Sequence, residues 1–171
     1  EGYVSRITTS RPFVRLKVAS SIDARTAMAS GESQWITGPA ARAEVQYWRA
    51  RSCAIVTGSA TVLADDPQLS VRDERFAVED QLRQPLRVVL DSRLRIPETA
   101  AVLKKPGRCL LAHVPGVEPK IAACDHFCAG TDKVDLAALL AHLASLECNE
   151  VLVEAGPTLL GGFVEAGLWD E

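Results

Sequence analysis

Three features of the sequence predict an α/β architecture with a largely parallel sheet. Four short apolar runs, Cys53–Thr57, Leu86–Leu90, Arg108–Ala112 and Glu150–Glu154, have the aliphatic, β-branched make-up of strands buried on both faces. Segments of helical character stand between and after these runs, so strand and helix alternate along the chain. Leucines at 136, 139, 140, 143 and 146 recur at helical spacing and form one apolar stripe for packing on such a sheet.

The elements follow in order. Val14, Leu16 and Val18 alternate with Arg15 and Lys17, the period of a strand with one apolar face. Ser20–Ser33 is small, polar and glycine-bearing, a long loop that serves either as a solvated excursion or as a lid or binding loop carrying Asp23, Arg25 and Ser33. Thr37 as N-cap and Pro39 in the first turn start a helix to about Ser52, with Val45, Tyr47 and Trp48 on its apolar side. Gly58-Ser59 ends the next strand before a helical turn over Thr61–Ala64, which Asp65-Asp66-Pro67 breaks. Arg72–Gln84 reads as an exposed connection. Asp91–Pro106 reads as loop with a brief edge strand, and Pro115–Gly130 is weakly patterned. Asp135 caps the leucine helix, His142 lies beside its stripe as a packed or solvated imidazole, and Pro157–Ala166 forms the last helix.

Composition narrows the function classes. The 171 residues, 47% of them apolar, suit one domain that buries roughly two-thirds of its unfolded surface. A net charge of −3 without a basic stripe argues against nucleic acid as partner and leaves scattered arginines for a small anionic ligand. The sequence contains no apolar run of membrane-spanning length and no signal-peptide pattern, so no membrane partner and a cytoplasmic location are expected. The five cysteines are irregularly spaced and read as reduced thiols. Cys124, His126 and Cys128 lack a second ligand pair, and no metal is expected. The His-x-Glu and Pro-Cys-x-x-Cys pair of zinc deaminases is absent from the sequence.

Two places carry the chemistry. Glu154 closes a strand at the carboxyl end, where open α/β sheets bind ligands, and it is either a working carboxylate or a plain strand-end residue. The turn Ala155-Gly156-Pro157-Thr158 then opens a helix and is a phosphate-site candidate, although it is not a Gly-x-Gly-x-x-Gly fingerprint. Arg49, taken alone, reads better as a surface helix arginine than as a ligand.

Leu16–Ala27, Gly31–Gly38, Ala54–Arg72 and Val151–Leu159, in this order, closely resemble the reductase domain of bacterial bifunctional riboflavin-biosynthesis deaminase/reductases. The resemblance implies a dihydrofolate-reductase-like three-layer fold: a central, mostly parallel sheet flanked by helices, one reductase domain over residues 1–171. It implies NADPH as cofactor, lined by Ala19, Trp35, Thr61, Asp65, Ser92 and the span Gly156, Pro157, Thr158, Leu159, Leu160, Gly161 and Gly162. In the family's usual Glu-Gly-Gly-Pro-Thr motif the first glycine is Ala155 here, acceptable where its φ is negative.

Substrate contacts are implied at Ser33, Arg49, Leu69, Arg72 and Glu154, for a phosphorylated pyrimidine. The implied reaction reduces the ribose of 5-amino-6-(5-phosphoribosylamino)uracil to the ribityl group. Asp65 and Glu154 are candidate proton donors, and Lys17 is a third that could instead polarise a hydroxyl or hold phosphate. Asp23 either orders the loop with Arg25 or acts directly. A deaminase domain fused on the N-terminal side, a homodimer, and further strands beyond Trp169-Asp170-Glu171 that complete the sheet are also implied. The rival readings are another pteridine or pyrimidine reductase of this fold, such as dihydrofolate reductase, and a non-catalytic nucleotide-binding module.

Overall fold

Side-chain alternation in a parallel sheet, combined with short strands, dictates most of the architecture. The computed structural model describes residues 1–33 and 35–171. Its elements are α1 (Gly2–Thr9), β1 (Phe13–Lys17), α2 (Pro39–Arg51), β2 (Ala54–Gly58), α3 (Ser59–Asp65), β3 (Leu86–Leu90), α4 (Ala101–Lys104), β4 (Cys109–His113), β5 (Asp125–Cys128), α5 (Leu136–Ser145), β6 (Glu150–Glu154) and α6 (Pro157–Glu165), with a 3₁₀ turn at Glu74–Phe76. The six strands form one sheet in the order β1-β6-β2-β3-β4-β5, and every pairing is parallel. β6 therefore inserts between β1 and β2, and the connections leave that point in opposite directions.

One face of the sheet, with Val14, Val56, Val88, Leu110, Ala112, Val151 and Val153, packs on Leu139, Leu140 and Leu143 of α5 and Phe163 of α6. The other, with Ile55, Val89, Leu111 and Leu152, packs under Val62 of α3 and Ile96 and Val102, and Trp48 of α2 covers its edge. Three layers result, helices over a sheet over helices. This is the dihydrofolate-reductase-like α/β fold implied above, with a sheet that is parallel throughout.

Several boundaries differ from the sequence reading. Residues 2–9 form α1, whose Tyr3, Val4 and Ile7 stay largely exposed, so no buried stripe announces it. The first strand begins at Phe13 and leaves Val18 exposed. The N-cap of α2 is Gly38 in extended conformation, not Thr37, and Tyr47 is exposed. The expected edge strand within 91–106 is replaced by the single-turn helix α4, since Asp91 Oδ2 accepts the Ile96 N–H at 2.8 Å and curls the chain. The weakly patterned 115–130 stretch contains β5, which alternates poorly because it is the sheet's edge. Asp135 does cap α5 by accepting the Ala138 N–H at 3.0 Å; Leu146 falls just beyond the helix, and His142 stacks on Phe127 at 4.5 Å.

Two charged groups are enclosed by this packing. Arg87, 1% exposed, donates to the carbonyls of Lys105, Pro106 and Gly107 at 2.8 Å each, and burial lowers its pKa. Replacing it with Met leaves those carbonyls unpaired, and chemical denaturation should show a loss of about 2–4 kcal/mol. Glu150 accepts a bidentate pair from Arg51 at 2.8 and 2.9 Å and lies 3.5 Å from Arg15, which itself sits 4.0 Å above the Trp48 ring.

The hydrogen bonds from Arg51 hold the Glu150 pKa below its ordinary value of 4.5, against the opposing effect of burial. A carboxyl with a depressed folded-state pKa adds stability above its unfolded value and loses it as pH falls through the folded one. Unfolding free energies measured from pH 7 downward should fall below about pH 4.5 more steeply in the wild type than in Glu150→Gln.

A candidate active site where the sheet order reverses

The carboxyl ends of β1, β6 and β2 converge on one mouth because β6 lies between strands that come far earlier in the chain. Open parallel sheets bind ligands at such a point. Lys17 and Glu154 are register partners across β1 and β6, so their side chains leave the same face on strands about 4.8 Å apart. The same alternation puts Thr57, one rung beyond the Val56–Val153 pair, on that face too. Its Oγ1 is buried and, among the described residues, has no hydrogen-bond partner.

Glu154 is buried and paired with Arg49 of α2: Nε to Oε1 at 2.7 Å and Nη2 to Oε2 at 2.9 Å. Nη1 of Arg49 also donates to the carbonyl of Ser70 at 3.2 Å. Arg49 is thus neither a free surface arginine nor an empty-handed phosphate clamp; it holds α2, β6 and the 69–72 segment together and keeps N–H groups to spare for a ligand.

That segment is bent by Leu69, which has φ 49°, a strained conformation for a branched residue, while its side chain is buried. The Arg72 N–H donates to Gln46 of α2 at 2.8 Å, and Val71 exchanges two hydrogen bonds with the Gln84 amide, both 2.9 Å. Arg72 is anchored through its backbone to α2 one turn before Arg49, its side chain is exposed, and among the described residues it forms no ion pair.

The glycine turn lies on the other side of Glu154. The Gly156 N–H donates to Thr61 Oγ1 at 3.2 Å, which joins α3 to the start of α6 and leaves the Thr61 hydroxyl proton for a ligand. Pro157 has no N–H, so the free donors are the N–H groups of Thr158 and Leu159. The N–H groups of Leu160, Gly161 and Gly162 are taken up within the helix, and Gly162 faces Leu136 of α5. Ala155 is not among the positive-φ residues, which explains why alanine is accepted there. Asp65 lies one helical turn beyond Thr61 and therefore on the same side of α3, exposed at its C-terminus.

The structure does not draw every expected residue into the mouth. Ser33 is exposed and, among the described residues, has no side-chain hydrogen-bond partner; Trp35 is exposed under the Arg42 guanidinium at 4.6 Å; Ala19 is half-buried on the loop after β1. Asp23 does order the loop, with Arg25 Nε donating to it at 2.8 Å. Ser92 follows Asp91 at the end of β3, beyond the mouth itself. Sequence reasoning missed Gln46 and the Ser70 carbonyl, for which no local pattern gives a signal.

Fold and site together define a three-layer α/β domain with a parallel sheet and a candidate ligand mouth where β6 inserts between β1 and β2. Residues 12–171 match the family described as the RibD C-terminal domain, and the chain belongs to that family. It is 42% identical over 185 residues to the riboflavin biosynthesis protein RibD of Escherichia coli K12, covering 100% of this chain and 49% of that protein. Its structure is similar to RibD of Acinetobacter baumannii, with a TM-score of 0.87 and 44% identity over 99% of this chain and 47% of the other. It is also similar to a diaminohydroxyphosphoribosylaminopyrimidine deaminase/5-amino-6-(5-phosphoribosylamino)uracil reductase of Thermotoga maritima, with a TM-score of 0.81 and 28% identity over 96% and 45%. The chain thus spans about half the length of these relatives.

The buried pair makes its own prediction. Arg49→Ala strands a carboxylate beneath α2 and should lower stability by about 3–5 kcal/mol. Adding Glu154→Gln to it should cost far less than the sum of the single changes, a coupling of about 2 kcal/mol in a denaturation double-mutant cycle.

Proposed function

We propose that residues 1–171 form a reductase domain that uses NADPH to reduce the ribose of 5-amino-6-(5-phosphoribosylamino)uracil to the ribityl chain. The observation that carries this reading is the juxtaposition at one mouth of Lys17, Glu154, Arg49 and Arg72 with the Gly156–Thr158 turn. Membership of the RibD C-terminal domain family and the name of the Thermotoga relative, which joins a deaminase to this reductase, support it. A deaminase domain on the same polypeptide belongs to the same proposal.

The residues present fit the cofactor. The Thr61 hydroxyl and the Thr158 and Leu159 N–H groups form a neutral donor set at a helix start, suited to a pyrophosphate. Gly58 lies against Leu159 of α6 and Gly156 against Thr61 of α3, so the two turns that would border the cofactor are adjacent. Bound NADPH would supply the hydride to the sugar carbon.

The chain's own residues do the rest. Arg72, with the spare N–H groups of Arg49, holds the substrate phosphate as a bidentate charge pair. The Arg49–Glu154 pair fixes the carboxylate so that its outer lone pairs face the sugar. Lys17, across the rung from Glu154, meets the sugar oxygen, and Lys17, Glu154 or Asp65 delivers the proton that the opened sugar oxygen requires. A folate substrate has no need of the two arginines in this role, which favours the phosphorylated pyrimidine over a dihydrofolate.

The direct test follows reduced-nicotinamide absorbance with NADPH and the phosphoribosylamino-pyrimidine, using NADH and dihydrofolate as controls. Oxidation should require both the pyrimidine and NADPH; oxidation with dihydrofolate instead would overturn the reading. Asp65→Asn should lower turnover about tenfold or more while the NADPH dissociation constant stays within about twofold, and unchanged turnover removes Asp65 from the proton transfer. Arg72→Ala should raise KM for the pyrimidine about tenfold or more and leave NADPH binding unchanged.

A further inference from the structure

We propose that Cys109 and Cys124 are a modification site: small disulfides of the glutathione class oxidise them to an intrachain disulfide, with Cys124 as the thiol attacked first and Cys109 as the resolving thiol. The inference is independent of the cofactor reading, because the pair lies at the amino ends of β4 and β5 and the mouth lies at the carboxyl ends of β1, β6 and β2.

Strand register brings the two thiols together. Leu110 of β4 pairs with Asp125 of β5, so Cys109, which opens β4, and Cys124, which leads into β5, stand one rung earlier. Neighbouring strands lie about 4.8 Å apart, inside the span of roughly 4.4–6.8 Å between Cα atoms that a disulfide bridges. Both side chains leave on the face of Leu111 and pack in its cluster with Ile55, Val89 and Leu152. Two free thiols on one rung and one face can join without moving the backbone. The other cysteines lack this arrangement. Cys53 Sγ accepts the Asn149 N–H at 3.3 Å, Cys148 is buried, and the exposed Cys128 pairs in register with His113.

The surroundings assign the two roles. Cys109 is 5% exposed and Cys124 is half-buried, so a reagent in solution reaches Cys124 first. Arg87 of β3 is the register partner of Cys109, and its Nε is buried and, among the described residues, has no hydrogen-bond partner. Burial pushes both thiols above their ordinary range, and the Arg87 guanidinium opposes that rise at each. The pair is therefore protonated and slow to react at rest. A disulfide formed from it resists reduction, since thiols of raised pKa are poor leaving groups.

The exchange balances in two steps. The Cys124 thiolate attacks one sulfur of the small disulfide, which forms a mixed disulfide and releases the first small thiolate. The Cys109 thiolate then attacks Cys124 Sγ and expels the second. Two protein thiols are oxidised to one disulfide, and the small disulfide is reduced to two thiols that carry away the two protons. The product fastens the edge strand β5 to β4.

Peptide mapping and thermal unfolding test this. The folded protein is incubated with oxidised glutathione at pH 8, alkylated and digested with trypsin, which cuts after Arg108, Lys120 and Lys133. Cys109 and Cys124 then lie on separate peptides, and a Cys128→Ser background leaves Cys124 the one thiol on its own. A Cys109–Cys124 link should form in wild type and in Cys128→Ser, and Cys124→Ser should abolish it. In Cys109→Ala the glutathione adduct should instead persist on Cys124. Oxidised wild type should unfold about 5 °C or more above the reduced protein, with the shift reversed by dithiothreitol and absent in Cys124→Ser. Adducts confined to Cys128, a link between other cysteines, or two thiols still free after a day in the folded protein would each overturn the proposal. Wild-type mapping decides the case even if Cys109→Ala fails to fold.

Discussion

The buried pair between Arg49 and Glu154 is the contact on which the site depends. It ties a helix that contributes no fully buried residue of its own to the central strand of the reversal point. A helix with so weak an apolar face would have little reason to stay at one angle over the sheet. The bidentate geometry and the third hydrogen bond to Ser70 set that angle and carry the 69–72 segment with it. A buried pair of this kind is poor evidence of net stability, since desolvation offsets much of the attraction. Its value lies in position: removing either partner leaves a charge that the interior cannot tolerate.

Around that contact the sheet separates support from chemistry. The α5 and α6 face is aliphatic along its length and needs only volume and shape. The opposite face is mixed. Arg15, Glu150 and Arg51 form a charged cluster at the amino ends of β1 and β6, and Lys17, Glu154 and Thr57 form the polar row at the carboxyl ends, with Leu152 and Ile55 between. The same two-residue period that buries the core thus delivers functional groups to one side of one edge. Beyond this row, the polar links at Thr61–Gly156 and Ser59–Arg95 continue along the carboxyl edge toward β3.

The sequence makes some of this plain. The leucine stripe and the Asp135 cap locate α5, because burial on one side and a local side-chain bond both leave a direct signature. The central strands are legible for the same reason: β2, β3, β4 and β6 are buried on both faces and read as apolar runs. β5 and α1 are not legible. β5 lies at the edge with mixed exposure, and α1 is short and keeps Tyr3, Val4 and Ile7 in solvent, so neither pattern records a buried face. Resemblance supplied candidate site residues in advance, yet it could not say that Arg49 is already engaged by Glu154, or that the helix start at Gly156 leaves the N–H groups of Thr158 and Leu159 without a helical partner.

What the sequence determined by itself is the alternation of strand and helix, the apolar faces, and the presence of a carboxylate and a glycine turn at the end of a late strand. These are local consequences of period and turn chemistry. The tertiary structure alone decided that the late strand inserts beside the first one. That insertion puts Glu154 across from Lys17 and under Arg49, 105 residues earlier in the chain, and it sets Ser59 against Arg95, 36 residues away. No periodicity encodes such pairings. They follow from strand order, which the whole set of apolar faces settles together when the core closes.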